Sequence, residues 1–266
     1  MNFIPQLGIS APELGWVPSP SFVLRRQAIL DRIRGWPPGS VLEMGCGSGA
    51  ILYDLARLGF RGVGVETSEQ AREVAQTLLA DVVAFDVTAD IPSAKSHFDY
   101  LLSFEVLEHI EDDRAALAEW AERMRPGGTC MLSVPAHGSR WNVTDVLAGH
   151  YRRYERADLL ELIKSAGLRP IQITTCGWPA SWMIGRLRNY VRIWQLRRQG
   201  IDPQALRIGD SELTARSGVD RKLEIRLFPL YGGAIGRSAF SMLCRLQRKF
   251  YDTDRGVSYV VQARRP

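Results

Sequence analysis

Residues 40–49, SVLEMGCGSG, place a short apolar run before three glycines at alternate positions, Gly45, Gly47 and Gly49. Such a run, bounded by turn residues, is typical of a buried parallel strand. Glycine permits a tight turn and lets a ligand approach the main chain, and a helical pattern follows from Ala50 to Leu58. The stretch therefore predicts a strand, a glycine loop and a helix that together form a nucleotide-type pocket at the edge of an α/β sheet.

Two acidic residues bear on the ligand of this pocket. Gly45, Gly47 and Ala50 also fit the dinucleotide pattern GxGxxA, in which a pyrophosphate lies at the helix N-terminus. Glu43 favours a different ligand, because a carboxylate two residues before the loop would repel a pyrophosphate and pair with an ammonium group. S-adenosylmethionine carries an ammonium and a sulfonium group and no phosphate. Glu66, at the end of RGVGVE, could accept hydrogen bonds from the ribose of either ligand.

The rest of the chain alternates apolar runs with helical patterns. Strands are predicted at 40–45, 61–66, 82–86, 98–104 and 129–134, with helices between them, and two further strands at 168–176 and 256–265. Helices are also predicted over 21–34 and 156–166. This alternation predicts a largely parallel sheet with right-handed crossovers.

Five motifs occur in a characteristic order: ExGxGxG, an acid ending the second strand, VAFDV, SFEVLEHIEDD and RPGG. They resemble those of class I S-adenosylmethionine-dependent methyltransferases, in particular the group that includes ubiquinone-biosynthesis and small-molecule O-methyltransferases. The resemblance covers residues 38–177 and, loosely, the last ten residues. It implies an α/β, Rossmann-like seven-stranded sheet with helices on both faces, whose last strand runs antiparallel between the fifth and sixth. Some RNA 2′-O-methyltransferases share EVLEH, so the resemblance specifies the cofactor better than the acceptor.

Bulk properties are those of a globular protein. The 266 residues can bury a full core, and the hydrophobic and charged fractions, 45% and 24%, are ordinary. The four cysteines, Cys46, Cys130, Cys176 and Cys244, have no CxxC spacing and are predicted to be reduced thiols. Neither a secretory signal pattern nor an apolar run of about 18 residues is visible. We therefore expect a cytoplasmic protein.

The connection between the sixth and last strands, residues 178–255, is far longer than usual. It contains fifteen basic and seven acidic residues, so it carries +8 while the rest of the chain carries −3. We divide the chain into an N-terminal helical cap (1–37), a methyltransferase core (38–177 and 256–266) and this helical insertion. The insertion is predicted to be a lid over the substrate.

The insertion also bears on partners other than a small-molecule acceptor. The segment WMIGRLRNYVRIWQLRR, residues 182–198, places apolar side chains near one helix face and arginines on the others. Basic amphipathic helices can lie on anionic membranes, so peripheral membrane contact stays an alternative. Nucleic acid is not expected as a partner, because no RNP-like, KH-like or zinc-knuckle element is present. The sequence leaves the oligomeric state open.

The resemblance assigns the cofactor site to the carboxyl ends of the first four strands. The residues expected to contact S-adenosylmethionine are Glu43, Gly45, Cys46, Gly47, Gly49, Glu66, Thr67, Asp86, Val87, Phe104 and Glu105. Among them, Asp86 is expected to accept a hydrogen bond from the adenine amino group, and Val87 to offer its backbone amide. S-adenosylhomocysteine is the expected product.

Residues after the fifth strand are candidates for the chemistry. The methyl group of the cofactor is already activated, so alignment is the main task, and orientation alone can supply about 7–11 kcal/mol. An alcohol or phenol would also need a base, and His150 is preferred, followed by His137 and His109. The residues predicted to bind the acceptor are Tyr151, Arg152, Arg153, Tyr154 and Trp182.

The EVLEH element raises the question of a metal. On a helix, Glu105, Glu108 and His109 would share one face and could converge on Mg²⁺ or another divalent cation. Some relatives use the element in that way, and many others do not. Since a fourth ligand is not evident, we favour a helix start at the active-site wall and predict no metal site.

Other functions fit parts of the sequence. An NAD-dependent oxidoreductase fits GxGxxA, but no Tyr-x-x-x-Lys motif is present, and RNA methylation fits the basic insertion. A protein that binds the cofactor without turnover, or an enzyme that uses it for cyclisation or another non-methyl reaction, fits the same motifs. We favour a methyltransferase that modifies an oxygen, or a nitrogen or carbon, of a small aromatic, lipid-like or natural-product acceptor.

Overall fold

The computed structural model describes residues 1–92, 97–203, 206 and 222–266. The strands are β1 (Asn2–Ile4), β2 (Gly8–Ser10), β3 (Ser40–Met44), β4 (Arg61–Val65), β5 (Phe85–Thr88), β6 (Phe98–Phe104), β7 (Met124–Pro135), β8 (Arg169–Cys176) and β9 (Ser258–Arg264). The helices are α1 (Pro20–Ile33), α2 (Ala50–Arg57), α3 (Glu69–Leu79), α4 (Asp113–Glu122), α5 (Val143–Leu147), α6 (Arg156–Ser165), α7 (Ala180–Arg198), α8 (Lys222–Gly232) and α9 (Ala234–Arg248).

A seven-stranded sheet forms the centre of the fold. Its order is β5-β4-β3-β6-β7-β9-β8, and only β9 runs antiparallel to its neighbours. The chain leaves β3 for β4 and β5 on one side and then continues with β6 on the other, so the topological switch point lies between β3 and β6. Ligands of open α/β sheets bind at such a crevice. The predicted fold, including the antiparallel last strand, is confirmed.

Apolar side chains cover both faces of the sheet. Leu42 and Leu101 face one buried cluster, which contains Trp120 of α4 and Leu159 of α6. The other face packs against α1 and α2 in a second cluster. Because these strands are buried on both sides, they read as continuous hydrophobic runs. The carboxyl edge of the sheet is thereby left as the place where polar groups can meet a ligand.

The N-terminal segment carries more structure than its sequence predicts. A two-stranded antiparallel sheet, β1 and β2, precedes α1. The hydroxyl of Ser19 accepts a hydrogen bond from the amide of Phe22 and so caps α1. Arg26 of α1 makes a buried two-point hydrogen bond with Asp54 of α2, at 2.5 and 2.6 Å. The cap is therefore attached to the sheet by a charged pair that is almost fully buried.

Three predicted elements differ in their position or type. The strand predicted at 129–134 is the longer β7, which begins at Met124 and ends at Pro135. The strand predicted at 82–86 is β5, which begins at Phe85 and ends at Thr88. It begins later because residues 81–84 form the exit from α3. Pairing of Gly62 with Phe85 sets this register. EVLEH is not an α-helix: Glu105 has a φ of +57°, and a short 3₁₀ turn follows from Leu107 to His109.

The insertion contains three described helices, α7, α8 and α9, while residues 204–205 and 207–221 lie outside the described part of the chain. Phe240 and Cys244 of α9 share a small core with Leu24 of α1 and with the N-terminal strands. The cap and the insertion thus pack against each other beside the sheet. None of the described helices combines the length and the hydrophobicity needed to cross a membrane.

Candidate active site

A large cavity opens at the carboxyl ends of β3, β4 and β6, at the switch point of the sheet. Its walls come from the glycine loop after β3, from α1, from the turn after β6 and from α7 of the insertion. The cavity volume is about 1380 Å³, whereas pockets for one small ligand usually hold about 300–1,000 Å³. It can therefore hold two ligands side by side.

The glycine loop adopts a backbone that other residues rarely tolerate. Gly45, Gly47 and Gly49 have φ values of +66°, +54° and +72°. A Cβ atom at Gly45 would also collide with the side chain of Val106 in the turn after β6. Glycine is therefore required at this position for both conformation and space.

Glu66, the residue after β4, is hydrogen-bonded to the glycine loop that follows β3. Its Oε2 accepts a hydrogen bond from the amide of Gly47 at 2.9 Å, and its Oε1 accepts one from Ser68 at 2.8 Å. Thr67 lines the cavity beside it, and the guanidinium of Arg72 donates to the carbonyl oxygens of Glu66 and Thr67. The carboxylate of Glu66 is thus fixed at the cavity wall.

Glu43 is a buried carboxyl group, one oxygen of which has no hydrogen-bond partner among the described residues. Only 2% of the residue is exposed, and its Oε2 makes no hydrogen bond within the described structure. Burial raises the pKa of Glu43 well above its usual value, and the carboxylates of Glu66 and Asp54 raise it further. A cationic ligand group beside it would favour the charged form. Burial likewise raises the pKa of the Cys46 thiol, so Cys46 is not an activated nucleophile.

Asp86 and Val87 are not brought into this cavity. Asp86 is exposed at the second position of β5 and not at its end, because the strand starts later than predicted. Both residues line a separate shallow pocket of about 520 Å³ against α3. Their contact with adenine stays a prediction.

Phe104, the last residue of β6, and Glu105, the residue after it, line the cavity. Glu105 adopts its positive φ while its amide donates to the carbonyl of Ser133 on β7. Its carboxylate accepts hydrogen bonds from the hydroxyls of Ser133 and Ser258, and Arg25 of α1 lies 3.5 Å from it. The side chain of Glu105 is thus committed to the ends of β7 and β9 and to α1.

Glu108 and His109 of the 3₁₀ turn lie next to His150. Glu108 is fully buried, and neither carboxyl oxygen has a hydrogen-bond partner in the described residues. Burial, followed by the charge of Glu105, raises the pKa of Glu108 well above its usual value. Burial and His150 lower the pKa of His109 to about 4, so its imidazole is neutral at pH 7. The rings of His109 and His150 meet at nearly a right angle, with centroids 4.7 Å apart.

His150 is oriented by a buried carboxylate. Its Nδ1 lies 3.0 Å from Oδ1 of Asp145, which is 1% exposed and also accepts a hydrogen bond from Nε of Arg153 at 2.8 Å. Burial acts to raise the pKa of Asp145, but the hydrogen bonds from His150 and Arg153 outweigh it, and the net pKa is lowered. An ionised Asp145 favours the tautomer of His150 that carries a proton on Nδ1, which makes Nε2 the nitrogen that could accept one.

Three of the residues predicted for the chemistry lie outside the cavity. His137 is buried against the ring of Tyr259, at 5.5 Å between centroids. Arg152 forms a 2.8 Å ion pair with Asp113 of α4, and the Tyr154 hydroxyl donates to the same carboxylate at 2.7 Å. These interactions fasten the loop before α6 to α4. The structure therefore does not bring the predicted base His137 or the predicted acceptor ligands Arg152 and Tyr154 into the lining of the cavity, and their part in the chemistry stays a prediction.

Tyr151, Arg153 and Trp182 do line the cavity, as do further residues that the sequence analysis missed, among them Arg25 and Asp145. Arg25 reaches the site from α1, and Asp145 from α5. The local sequence NVTD, residues 142–145, is a capping box and could have indicated that this carboxylate is fixed. Nothing in the sequence indicates that it lies beside His150.

The cluster of Glu108, His109 and His150 could hold a cation. Glu108, His109 and His150 each offer one ligand atom, and the three atoms lie within 4.8 Å of one another. Glu105 is not part of this group, which therefore differs in one member from the set considered from the sequence, Glu105, Glu108 and His109. Two imidazoles and one carboxylate fit Mn²⁺, Fe²⁺ or Zn²⁺ better than Mg²⁺, which prefers oxygen ligands.

A mostly parallel sheet with one antiparallel strand next to its edge, and a glycine loop at its switch point, define the class I methyltransferase fold. A family model described as "Methyltransferase domain" matches residues 24–173. The chain therefore belongs to the methyltransferase-domain family.

Individual relatives agree with this assignment. The chain is 37% identical over 98 residues to a ubiquinone biosynthesis O-methyltransferase of Mesorhizobium japonicum. The aligned region covers 35% of this chain and 39% of that relative. It is 29% identical over 161 residues to the protein of the same name from Cereibacter sphaeroides, which covers 53% and 65%. Less than two thirds of either relative is thus spanned.

Solved structures share the fold over a longer stretch. The [4+2]-cyclase SpnF superposes with a TM-score of 0.57 at 15% identity, over 99% of this chain and 87% of that chain. At such low identity the likeness concerns the fold alone. Because that protein is named a cyclase, the fold by itself does not determine the reaction.

Proposed function

We propose that this protein is an S-adenosylmethionine-dependent methyltransferase that modifies an oxygen atom of a small-molecule acceptor. The observation that carries the proposal is the buried carboxyl group of Glu43 beside the glycine loop, whose Oε2 has no hydrogen-bond partner among the described residues. A pyrophosphate would disfavour the charged form of Glu43 still further, whereas a ligand with an ammonium and a sulfonium group would stabilise that form. Names of the two relatives support methyl transfer to oxygen.

Residues at the ends of β3 and β4 would contact different parts of the cofactor. Glu43 and the loop amides would contact the amino-acid end, and Glu66, already fixed by Gly47 and Ser68, would accept from the ribose hydroxyls. When bound, S-adenosylmethionine supplies a methyl group that is activated by its sulfonium. The walls formed by Phe104 and α1 would exclude water from that group.

On the acceptor side, His150 would remove the proton of a hydroxyl group. Its Nδ1 faces Asp145, so Nε2 is the atom that would take the proton, and the ionised Asp145 would stabilise the resulting imidazolium. Arg153 shares Asp145 and keeps the carboxylate charged. Such general-base assistance typically contributes about 10²–10⁴-fold to a rate.

A second candidate is a metal-assisted form of the same reaction. It is favoured by the two unpartnered oxygens of Glu108 and by the convergence of Glu108, His109 and His150. A divalent cation held there would act as a Lewis acid on the acceptor hydroxyl and lower its pKa. We favour His150 as a base, because Asp145 already fixes its ring in the orientation that a base needs.

The insertion would form the wall of the acceptor site, and its outer side would contact a membrane. We define the outer face of α7 by Met183, Leu187, Val191 and Trp194, which are between 40% and 65% exposed. The arginines around them complement anionic lipids. Such contact would place a cytoplasmic enzyme at a membrane surface and give it access to a lipid-like acceptor.

The experiment that tests the proposed function has two parts. Calorimetric titration should show binding of S-adenosylmethionine or S-adenosylhomocysteine to the full chain. Candidate phenols and alcohols are then screened for release of S-adenosylhomocysteine, and the product is examined by mass spectrometry for a gain of one methyl group. Tight binding of NAD with no binding of S-adenosylhomocysteine would contradict the proposal. A turnover product that lacks an added methyl group would indicate another reaction on the same fold.

A further inference from the structure

The arginines that line the cavity differ in what balances their charge. Five described arginines line it: Arg25, Arg140, Arg153, Arg186 and Arg188. Arg25, Arg153 and Arg188 each form an ion pair with a carboxylate, at 3.5, 2.8 and 3.0 Å. The guanidinium of Arg186 lies over the indole ring of Trp182, 5.0 Å from its centroid. Of the five, Arg140 alone forms neither an ion pair nor a cation–π contact with the residues that the structure describes.

Arg140 is held in place by one of its three guanidinium nitrogens. Its Nη1 donates to the carbonyl oxygens of Arg255 and Gly256, just before β9, at 3.2 and 2.6 Å. Its Nε and Nη2 make no hydrogen bond to the described residues, and neither atom is buried. We call this pair of donors the open edge of Arg140. Because the half-buried residue lines the cavity, the open edge is accessible to a ligand.

The open edge of Arg140 has the donor pair that binds carboxylates elsewhere in this protein. Nε and Nη2 of Arg26 donate to the two oxygens of Asp54, at 2.5 and 2.6 Å. The same two atoms of Arg248 donate to the two oxygens of Asp31, at 2.7 and 2.8 Å. Two parallel N–H groups on one edge of a guanidinium match the two oxygens of a carboxylate. Arg140 offers this pair without an acceptor among the described residues.

We propose that Arg140 binds a carboxylate of the acceptor, so that the substrate of the methyl transfer proposed above is a hydroxy acid. Its position favours the acceptor over the cofactor. Arg140 follows β7, which β6 separates from β3, whereas the glycine loop and Glu66 follow β3 and β4. His150, the proposed base, belongs to the same connection after β7 as Arg140. One segment, 138–153, would thus contact both the hydroxyl group and the carboxylate of the acceptor.

The charges around Arg140 also favour an anionic partner. Burial, followed by the charge of Arg153, lowers the pKa of Arg140. Tyr259, Asp254 and Glu155 act in the opposite direction and do not outweigh these two effects. A carboxylate of a ligand would stabilise the charged guanidinium. One unpaired guanidinium balances a single negative charge, which suits a carboxylate better than a phosphate monoester with its charge of about −1.5 to −2 at pH 7.

The acidic groups of the cavity do not oppose such a ligand. Besides the two carboxyl groups near the ends of β3 and β4, which would face the cationic cofactor, three described ones line the cavity. Asp145 is paired with Arg153, and Glu105 lies beside Arg25. Burial raises the pKa of Glu108 well above its usual value, which favours its neutral form. An anionic acceptor would therefore meet little unbalanced negative charge from these three groups.

The test compares three phenolic acids with their uncharged carboxamides: para-hydroxybenzoate, para-hydroxyphenylacetate and para-hydroxycinnamate. Phenols are used because Trp141, Tyr151 and Trp182 line the same cavity. Affinities are measured by ligand-observed NMR on the full chain saturated with S-adenosylhomocysteine. In the wild type at least one acid should bind about tenfold more tightly than its amide, the factor expected for a charge-assisted hydrogen bond. Arg140→Gln should reduce this preference to about twofold or less, with the affinity for S-adenosylhomocysteine unchanged.

Two further variants separate the open edge from the charge alone. Arg140→Lys keeps the charge and removes the pair of parallel donors, so its preference for the acid should lie between those of the wild type and Arg140→Gln. Arg186→Gln removes an exposed charge from the cavity wall and leaves the open edge intact. It should keep a preference of about tenfold.

Several results would overturn the inference. They are no binding of any acid to the wild type, equal affinity of every acid and its amide, or equal losses of preference in Arg140→Gln and Arg186→Gln. Weaker binding of S-adenosylhomocysteine to Arg140→Gln would instead place Arg140 on the carboxylate of the cofactor and would also overturn it. The proposed function fails separately, since it requires that the wild type binds S-adenosylhomocysteine before any acid is added.

Discussion

Nδ1 of His150 lies 3.0 Å from Oδ1 of Asp145, a carboxylate that is 1% exposed. If His150 is the base, His150→Gln should reduce acceptor turnover by about 10²–10⁴-fold. Asp145→Asn should also reduce it, because an amide cannot stabilise the imidazolium. Neither change should alter the affinity for S-adenosylhomocysteine measured by calorimetry.

His137→Gln is the matched control for this prediction. His137 is buried beside Tyr259 outside the cavity, so its replacement should leave the turnover number of folded protein within about threefold of the wild type. If His137→Gln lost as much turnover as His150→Gln, the assignment of His150 as the base would be contradicted.

Glu66 should contribute strongly to cofactor affinity. Loss of a charge-assisted hydrogen bond costs about 1.5–3 kcal/mol, so Glu66→Ala should weaken S-adenosylhomocysteine binding by about tenfold or more. Glu73→Ala, an exposed change on α3, serves as the control and should leave the affinity unchanged. Calorimetry on both variants measures the difference. Equal affinities of the two variants would remove Glu66 from the cofactor site.

The strands and the glycine loop could be predicted from the sequence because their signals are local. Apolar runs ending in glycine or acidic residues specify β3 and β4 within a residue. The start of β5 could not be predicted, because residues 82–85, VVAF, are all apolar and only pairing with β4 sets its register. Short strands such as β1 and β2 have too few residues to show alternation.

The candidate site was harder to predict because it depends on contacts between distant segments. A helical reading of EVLEH places Glu105, Glu108 and His109 on one face. The positive φ of Glu105 breaks that face, and the hydroxyls of Ser133 and Ser258 hold its carboxylate elsewhere. These serines follow Glu105 by 28 and 153 positions, and no sequence period reports such a distance.

Metal independence follows from a base mechanism. If His150 acts as the base, methyl transfer should continue in the presence of EDTA and should not increase when Mn²⁺ or Mg²⁺ is added. Calorimetric titration of the apoprotein with MnCl₂ provides a readout that does not depend on turnover. Loss of activity in EDTA, recovery with Mn²⁺ and loss of Mn²⁺ binding in His109→Ala would establish the metal-assisted alternative instead.

Asp31 should stabilise the contact between the cap and the insertion in a pH-dependent way. Burial acts to raise its pKa, but hydrogen bonds from Arg248, Tyr251 and Gln27 outweigh it, and the net pKa is lowered. A lowered folded-state pKa gives stability that is present above the unfolded value, about 3.9, and is lost as the pH falls through the folded value.

Asp31→Asn should therefore lower the free energy of unfolding at pH 7 by about 1–2 kcal/mol. The difference from the wild type should begin to shrink below about pH 4, where the unfolded-state carboxylate takes up protons, and should close as the pH falls through the lowered folded-state pKa of Asp31. Chemical denaturation at a series of pH values measures it. Glu161→Gln, which alters a pair with Arg114 exposed on both sides, is the control and should show no difference at any pH. A constant Asp31→Asn deficit from pH 3 to pH 7 would contradict a charge-based contact.

The outer face of α7 gives the last prediction, on contact with membranes. Trp194 belongs to this face, is 47% exposed and lies under the guanidinium of Arg198 at 4.0 Å, whereas Trp182 lines the cavity. Wild-type protein should sediment with vesicles that contain 30–40% anionic phosphatidylglycerol, about the fraction that gives a strong surface potential, and not with pure phosphatidylcholine. Binding should weaken as the salt rises from about 0.05 to 0.5 M, since screening shortens the range of the arginine charges.

The two tryptophans then separate the two roles of the helix. Trp194→Ala should reduce vesicle binding and leave the affinity for S-adenosylhomocysteine and turnover of a soluble acceptor unchanged. Trp182→Ala should raise the KM for the acceptor, as expected when binding to substrate and transition state is lost equally, and leave vesicle binding unchanged. Because both changes remove one indole ring from the same helix, a difference between them reflects the face and not helix stability. If neither the wild-type protein nor the Trp182→Ala variant sediments with anionic vesicles at low salt, the outer face of α7 does not bind a lipid surface.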